Sequence, residues 1–174
     1  MKYIVFTFFV SISIINNLHS QSSTKWELYS NNDYRINYPS DWNISLNGEL
    51  GTNFIIKSPF TSLSDDFNEN VNLIIQNLSG YNLTLDEYQE LTLSQIENLI
   101  TDAQLLSNKR RFANGKEYHT LIYTGRQGVY TLYYKQYFWI IGEQAVILTF
   151  TCKNDEINSY LNVANEIMNS FKFN

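Results

Sequence analysis

Residue types that carry much of protein chemistry are scarce in this chain of 174 residues, which has one Cys, two His and seven Gly. The lone Cys152 excludes an intramolecular disulfide. A zinc site needs several Cys or His donors. A phosphate-binding loop needs clustered glycines, whereas Gly125, Gly128 and Gly142 are spaced as turn residues. The sequence therefore predicts no metal centre, no cofactor and no enzymatic activity.

Residues 1–20 have the pattern of a secretory signal peptide, with Lys2, an apolar run over 3–15 and a short polar end. The run is shorter than the roughly 20 residues that span a bilayer, so a retained membrane anchor is the weaker alternative. No Cys follows the run, so the attachment point of a bacterial lipoprotein is missing. We predict cleavage near Ser20, a single domain over 21–174 and a periplasmic or secreted location.

Basic residues are also few. Loss of Lys2 with the leader leaves eleven of the 12 basic residues against 17 acidic ones. An acidic chain repels a phosphate backbone, which argues against nucleic acid as a partner. The only basic cluster in the sequence is Lys109-Arg110-Arg111, which is interpreted as a solvated part of a strand or turn rather than a binding patch.

Alternating aromatic and β-branched residues predict a series of short strands. These cover 25–29, 34–38, 54–58, 71–78, 104–112, 117–124, 128–141 and 145–152. One helix is predicted over 85–100, where Thr84 and Glu87 form a capping box. A second amphipathic helix is predicted over 155–171, with Asn154 as its cap.

These elements predict an α+β fold with an antiparallel sheet of about six or seven strands. The three consecutive strands within 118–152 are expected at its centre. The strand over 71–78 is apolar on both faces in its middle, which predicts cover on both faces. A sheet sandwiched between helices therefore fits better than a two-layer plate.

The strand over 128–141 carries two rows of aromatic side chains on opposite faces. One face has Tyr130, Tyr134 and Phe138. The opposite face has Tyr133, Tyr137 and Trp139. One row must face the core; if the second is exposed beside Tyr123, it forms an aromatic platform of the kind that stacks sugars or anchors proteins. The candidate binding surface is therefore Tyr123, Tyr133, Tyr137 and Trp139, and the alternative is that both rows are buried under helices.

Three further features favour structural roles. His119 alternates with apolar residues on a strand and is interpreted as a packed side chain rather than a ligand or base. Cys152 has no cationic neighbour in sequence and is interpreted as a small buried residue rather than a reactive thiol. The acidic loop over 64–70 groups several oxygen donors but lacks the spacing of a calcium loop, so a solvated loop is favoured over a cation site.

Two segments resemble the PsbP-like domains. In 33–42 (DYRINYPSDW), an alternating strand runs into Tyr-Pro and is followed by a Trp; in 165–173 (NEIMNSFKF), a helix ends in Ser-Phe before Lys and another aromatic. The group includes the PsbP subunit of photosystem II and bacterial DcrB-like envelope proteins. The resemblance extends over 26–173 and implies an antiparallel sheet between helices and a binding or assembly role.

Together these observations predict an exported, non-catalytic binding or accessory module of the cell envelope. We expect a monomer that binds a protein partner and has no membrane anchor after cleavage. A small-molecule carrier or a small enzyme with an aromatic-lined sheet face is the alternative. The residues that match the PsbP-like domains are core and turn residues, so the resemblance assigns no functional residue.

Overall fold

The structure is a computed structural model that describes residues 25–174, so the leader predicted over 1–20 lies outside the described residues. The strands are β1 Trp26–Ser30, β2 Tyr34–Pro39, β3 Asn43–Ser45, β4 Phe54–Lys57, β5 Asn70–Asn77, β6 Thr101–Ala113, β7 Lys116–Gln127, β8 Tyr130–Ile141, β9 Gln144–Lys153 and β10 Lys172–Phe173. The helices are α1 Leu85–Leu99 and α2 Ile157–Ser170. Short 3-10 turns are formed by Glu49–Gly51 and Asn154–Glu156.

Seven strands form one antiparallel sheet in the order β3-β4-β5-β9-β8-β7-β6, and β1-β2-β10 form a second, smaller sheet. The predicted α+β fold with an antiparallel sheet of about six or seven strands is confirmed. The smaller sheet was not predicted. It pairs the N-terminal hairpin with the last residues of the chain, and alternation along the sequence does not reveal which strands pair. No helix within 25–174 is both long enough and apolar enough to cross a bilayer.

Both helices form close to where they were predicted. The backbone N–H of Glu87 donates to the Thr84 hydroxyl (3.2 Å), and the backbone N–H of Thr84 donates to the Glu87 carboxylate (2.8 Å), which completes the predicted capping box. The prediction that Asn154 caps the second helix was wrong. A 3-10 turn occupies 154–156, α2 begins at Ile157, and no side chain caps it.

The larger core lies between the main sheet on one side and α2 with the small sheet on the other. Phe150 of the central strand β9 is fully buried here, as are Phe54 of β4 and Ile36 of β2. The helix contributes Ala164 and Ile167, which recur at the spacing of its apolar face. This face of the sheet is covered along most of its width.

The opposite face is only partly covered, because α1 packs mainly over β6, β7 and β8. Its buried cluster consists of Ile96 of α1 with Leu121, Tyr123 and Phe138 of the sheet. The prediction of cover on both faces of β5 was therefore only half right. Val71 and Leu73 are buried on the α2 side, whereas Ile74 on the α1 side is half-buried.

Gly125 allows α1 and β7 to approach closely. A Cβ added at this position would lie 2.2 Å from Cγ2 of Ile100 and 3.4 Å from the Thr101 carbonyl oxygen. Because Ile100 is β-branched and ends the helix, it has little freedom to move aside. We expect Gly125→Ala to lower the free energy of unfolding by about 1–3 kcal/mol, the usual cost of overpacking.

Chemical denaturation of Gly125→Ala would measure this cost. Gly80→Ala provides a poor control because its backbone is left-handed. The double variant Gly125→Ala/Ile100→Ala is the informative partner, since it removes the clashing methyl group. If Gly125→Ala loses the same stability whether residue 100 is Ile or Ala, steric overlap is not the cause.

Candidate functional site

The four predicted surface aromatics lie on two different faces of the sheet. Tyr123 faces α1, directly opposite Tyr134 on β8, and the two rings stack at 4.8 Å. Tyr133, Tyr137 and Trp139 face α2. All four side chains are between 5% and 8% exposed. They do not form one exposed platform, because Tyr123 is buried under α1 and the other three are buried on the α2 side of the sheet.

Two of these residues nevertheless line a groove of about 410 Å³ at the C-terminal end of α2. Tyr137 and Trp139 contribute to its floor together with Tyr118, Phe171 and Phe173. The remaining lining residues are mostly polar or basic, and they come from the β6–β7 turn, the end of α2 and β10. They include Asn114, Lys116, Asn169 and Lys172.

The floor of the groove is a set of interlocked rings. Tyr118 stacks on Trp139 with ring centroids 5.2 Å apart and planes 24° apart. Trp139 in turn contacts Phe171 at 5.5 Å, and Phe171 meets Phe173 edge to face at 5.3 Å. Ring pairs in these geometries stabilise one another beyond their buried area. The groove is therefore pre-formed, with the half-buried Tyr118 and Phe173 nearest to solvent.

Polar groups in the groove and next to it are already paired within the protein. The Tyr137 hydroxyl donates to Oδ1 of Asn169 (3.2 Å), and Nζ of Lys135 donates to Oδ1 of Asn165 (2.6 Å). Burial raises the pKa of Tyr137 to about 12, so this hydroxyl stays protonated. These bonds hold the side chains in place and leave the lysine charge uncompensated.

Several basic side chains share this side of the sheet. Arg111 of β6 lies directly opposite Tyr118, and Lys109 lies opposite Thr120, which pairs with Tyr137 on the next strand. With the other basic residues of the site they form a set that we call the basic groove. Its basic members are Arg35, Lys109, Arg111, Lys116, Lys135 and Lys172. Lys116 and Lys172 line the groove itself, and Arg35 lines an adjoining pocket that shares Lys172. Lys109, Arg111 and Lys135 lie around it on the same face of the sheet.

None of these six side chains makes an ion pair with a carboxylate in the part of the chain that the structure describes. The Lys and Arg residues that do make ion pairs there are others: Lys57, Arg110, Arg126 and Lys153. The basic triplet of the sequence is thus divided, because Arg110 points to the α1 face and pairs with Asp86 and Glu117. Its interpretation as a solvated part of a strand is confirmed, since all three residues are exposed on β6.

Positive charges in the basic groove repel one another. Lys172 of β10 lies directly opposite Arg35 of β2, an arrangement of like charges that destabilises a sheet. Burial, reinforced by the positive charge of Arg111, lowers the pKa of Lys135. Lys116 and Lys135 lie over the rings of Phe173 and Tyr137, which offer only weak compensation. The site is thus electrostatically complementary to an anion.

His119 is a packed side chain, as predicted. Its ring stacks on Phe138 at 5.6 Å, and its two nitrogens lie 3.2 Å from side-chain oxygens of Asn108 and Asp86. Arg110 donates to both carboxylate oxygens of Asp86 at 2.7 and 2.6 Å. Hydrogen bonding from His119 chiefly lowers the pKa of Asp86. The network ties the first turn of α1 to β6 and β7.

The acidic loop over 64–70 folds onto a lysine. Nζ of Lys153 lies 2.7 Å from Glu156, 3.8 Å from Asp65 and 3.7 Å from Asp66. The Asp65 side chain is nearly buried and accepts hydrogen bonds from the backbone N–H and the hydroxyl of Thr61. The bond from the backbone N–H is the main cause of the lowered pKa of Asp65. The loop is therefore less solvated than predicted. Residues 25–174 contain no group of three acidic, His or Cys side chains arranged for a metal ion.

Cys152 and Glu69 are both buried near this loop. Burial raises the pKa of the Cys152 thiol to about 12, which keeps it protonated and supports the interpretation as a packed residue. Glu69 is fully buried: Oε2 accepts from the Ser58 hydroxyl (3.2 Å), and Oε1 has no hydrogen-bond partner within the described residues. Burial chiefly raises the pKa of Glu69.

The raised pKa of Glu69 predicts a pH-dependent stability. A carboxyl group with a higher pKa in the folded than in the unfolded state stabilises the fold fully below the unfolded value of about 4.3. That contribution is lost as the pH rises through the folded pKa. We expect Glu69→Gln to gain stability relative to the wild-type protein as the pH increases from 4 to 8, in urea titrations at each pH. A constant difference across this range would contradict the prediction.

A second groove of about 500 Å³ lies on the half of the sheet that α1 leaves open. Tyr130 and Tyr134, from the other predicted aromatic row, line it with Ile55, Ile74 and Leu132. The exposed Leu50 also lines it, and the exposed Val129 lies between the lining residues Gly128 and Tyr130. This groove is mainly apolar and lacks the uncompensated charges of the basic groove.

Sequence comparison and structure comparison give different results. No protein-family model and no curated protein sequence matches the chain. The structure is similar to CyanoP, the PsbP of Synechocystis sp. PCC 6803, with 17% identity, a TM-score of 0.62, and coverage of 92% of this chain and 99% of that chain. At this identity the similarity establishes the fold alone.

Two further solved structures have the same fold. LpqN, which is involved in cell envelope biogenesis of Mycobacterium tuberculosis, has 14% identity and a TM-score of 0.66, with coverage of 86% of this chain and 90% of that chain. PA94 of Pseudomonas aeruginosa, a protein of unknown function, has 16% identity and a TM-score of 0.57, with coverage of 82% and 93%. The PsbP-like resemblance of the two terminal segments is confirmed at the level of the fold.

Proposed function

We propose that this protein is an exported, non-catalytic accessory module of the cell envelope that binds a protein partner through the basic groove. The observation that carries the proposal is a pre-formed aromatic floor with two basic side chains in its lining and four more around it, none of which has a carboxylate partner in residues 25–174. Aromatic and basic side chains are also those that dominate binding energy at protein interfaces.

Two independent observations support an envelope location. Residues 1–20 have the pattern of a signal peptide. The fold is shared with LpqN, which is involved in cell envelope biogenesis. Fold similarity is a weak argument for function by itself, so the leader is the stronger of the two.

The chemistry of the groove favours binding over catalysis. Tyr137 of the groove and the neighbouring Lys135 are each hydrogen-bonded to an Asn of α2. A general base or nucleophile must instead reach a substrate proton or carbon. His119, the titratable group best placed for acid–base work, lies on the α1 face, where Asn108 and Asp86 occupy its nitrogens.

The test is affinity capture from an envelope extract with the biotinylated mature protein. Lys116→Glu/Lys172→Glu reverses two charges of the basic groove, and Tyr118→Ala removes an accessible ring of the floor. Tyr81→Ala is the matched aromatic control, because Tyr81 is 72% exposed in a loop away from the groove. We expect a partner that the wild-type protein and the control capture and that both groove variants lose. Equal capture by all four proteins would contradict the proposal.

Export makes a separate prediction. The intact mass of the protein recovered from the envelope or medium should correspond to a chain that begins near Gln21, because the short polar end after the apolar run is where cleavage is expected. A variant with Phe8→Asp and Phe9→Asp interrupts the apolar run and should remain uncleaved. A full-length mass for the wild-type protein in the cytoplasm would show that the segment is not a signal peptide.

A small-molecule carrier is the second candidate, and the apolar groove on the open half of the sheet favours it. Its volume of about 500 Å³ lies in the range of small-molecule sites. Native mass spectrometry of the protein from its own host should then reveal a bound apolar molecule. Ile74→Trp, which fills the groove, should abolish that added mass. An unliganded wild-type protein under these conditions would argue against this function.

A further inference from the structure

The outer edge of the main sheet is a long strand with a free side. β6 has 13 residues and is hydrogen-bonded to β7 on one side only, since it is the last strand in the sheet order. No backbone or side-chain hydrogen bond within 25–174 involves the outward backbone groups of 101–113. The opposite edge of the sheet, β3, has only three residues. A long free edge is a template on which another chain can add a strand.

Only one half of β6 forms a regular template. Register shifts interrupt its pairing with β7 between Thr101 and Gln104 and between Leu105 and Ser107. From Ser107 to Ala113 the pairing continues without interruption. Bulges are one way in which proteins protect an edge against association. The regular segment 107–113 contains no bulge that would prevent another strand from pairing with it.

The charge of this regular segment indicates the occupant. Lys109 and Arg111 alternate on the groove side and have no carboxylate partner among the described residues. On the other side of the strand, Arg110 is already neutralised by Asp86 and Glu117. A strand added here would therefore meet uncompensated positive charge only on the side of Lys109 and Arg111. A second copy of the chain would instead bring a second basic triplet to the same edge.

We infer that an extended acidic segment of the protein partner adds as a strand along residues 107–113 of β6, with alternate carboxylates against Lys109 and Arg111. Side chains directly opposite on neighbouring strands have Cβ atoms about 4.5–5.5 Å apart, which suits an ion pair at each position. Backbone pairing would provide the affinity, and the spacing of the two charges would set the register. This inference rests on the proposed function and specifies the partner's chemistry.

The probe is a fluorescein-labelled peptide of about nine residues with alternating Glu and Thr, long enough to span 107–113. Fluorescence anisotropy with the mature protein should show saturable binding that weakens with salt. Two further peptides carry N-methyl groups on every second amide: in one peptide on the amides of the Glu residues, and in the other on the amides of the Thr residues. Because alternate amides of a strand point to opposite sides, methylation in one frame should weaken binding by at least about tenfold and in the other frame should be tolerated.

Variants of the protein locate the site. Lys109→Gln/Arg111→Gln should weaken binding of the Glu-Thr peptide by about tenfold, as expected for two interfacial charge contacts. Lys25→Glu changes the net charge by the same amount at an exposed position on the small sheet side and should leave binding unchanged. A Lys-Thr peptide should not bind the wild-type protein.

Any of four results would overturn the inference. Binding that is insensitive to N-methylation in both frames, or equal binding of a soluble polyuronate, would identify a general anion site without strand addition. Absence of peptide binding would reject the acidic strand altogether. Sedimentation of the wild-type protein as a dimer that Lys109→Gln/Arg111→Gln dissociates would assign the edge to a second copy. In each case, affinity capture through Tyr118 and Lys116 still tests the proposed function separately.

Discussion

Replacement of Phe150 by alanine is expected to lower the free energy of unfolding by about 3–5 kcal/mol. Phe150 is fully buried in β9, the strand at the middle of the seven-stranded sheet. It lies between Val71 of β5 and Lys135 of β8 in the pairing, and its ring meets that of Tyr133 edge to face at 6.4 Å. Loss of the ring removes buried apolar area and leaves a cavity that the paired strands cannot close.

Urea denaturation followed by circular dichroism measures this effect. Phe112→Ala is the matched control, because it deletes the same side chain from β6 at a position that is 71% exposed. That change should alter stability by no more than about 0.5 kcal/mol. A loss below about 1 kcal/mol for Phe150→Ala would show that the central strand is not packed as described.

Trp42→Ala is expected to have an effect of similar size, about 3–5 kcal/mol. Trp42 follows the Pro39 turn at the end of β2, where its backbone N–H donates to the Pro39 carbonyl (2.9 Å). Its side chain is buried and meets the ring of Tyr160 on α2 edge to face at 6.3 Å. The residue thus joins the small sheet to the helix, and its removal loosens both.

Trp42→Phe separates the two contributions of this residue. A phenylalanine keeps an aromatic contact with Tyr160 but leaves part of the indole volume empty, so it should cost less than the alanine variant. The same urea titrations report both values. Equal losses for Phe and Ala would mean that the ring contact contributes nothing and that the turn geometry dominates.

Strands and helices were predictable because they depend on local periodicity. Runs of apolar, aromatic and β-branched residues located six of the seven strands of the main sheet, and the capping box of Thr84 and Glu87 located the start of α1. The three-residue strand β3 was not predicted, because it is too short to show a pattern. The start of α2 was predicted too early, because three residues of 3-10 helix precede it. Asn154 is a residue type that favours helix caps, so the sequence did not distinguish the two kinds of helix. The start of β6 was placed late, since the strand follows α1 directly and passes through Asp102 with a left-handed backbone.

The site was only partly predictable. Tyr137 and Trp139 were identified, but as members of a platform with Tyr123 that lies on the opposite face. A side chain's face within one strand follows from its position, whereas the relation between faces of neighbouring strands depends on their register. The register of β7 against β8 is set by the turn and by the packing of two helices, neither of which alternation reveals.

The sequence by itself determined the α+β class, the order of most elements and the presence of a signal-peptide pattern, because each depends on residues close together in the chain. Only the tertiary structure decided that α1 covers part of its face and that basic residues from five strands come to lie in and around a groove with an aromatic floor. In sequence these residues are spread from Arg35 to Lys172 in an acidic chain. Charge acts through space, so strand pairing and the return of the last residues to β2 create the basic groove.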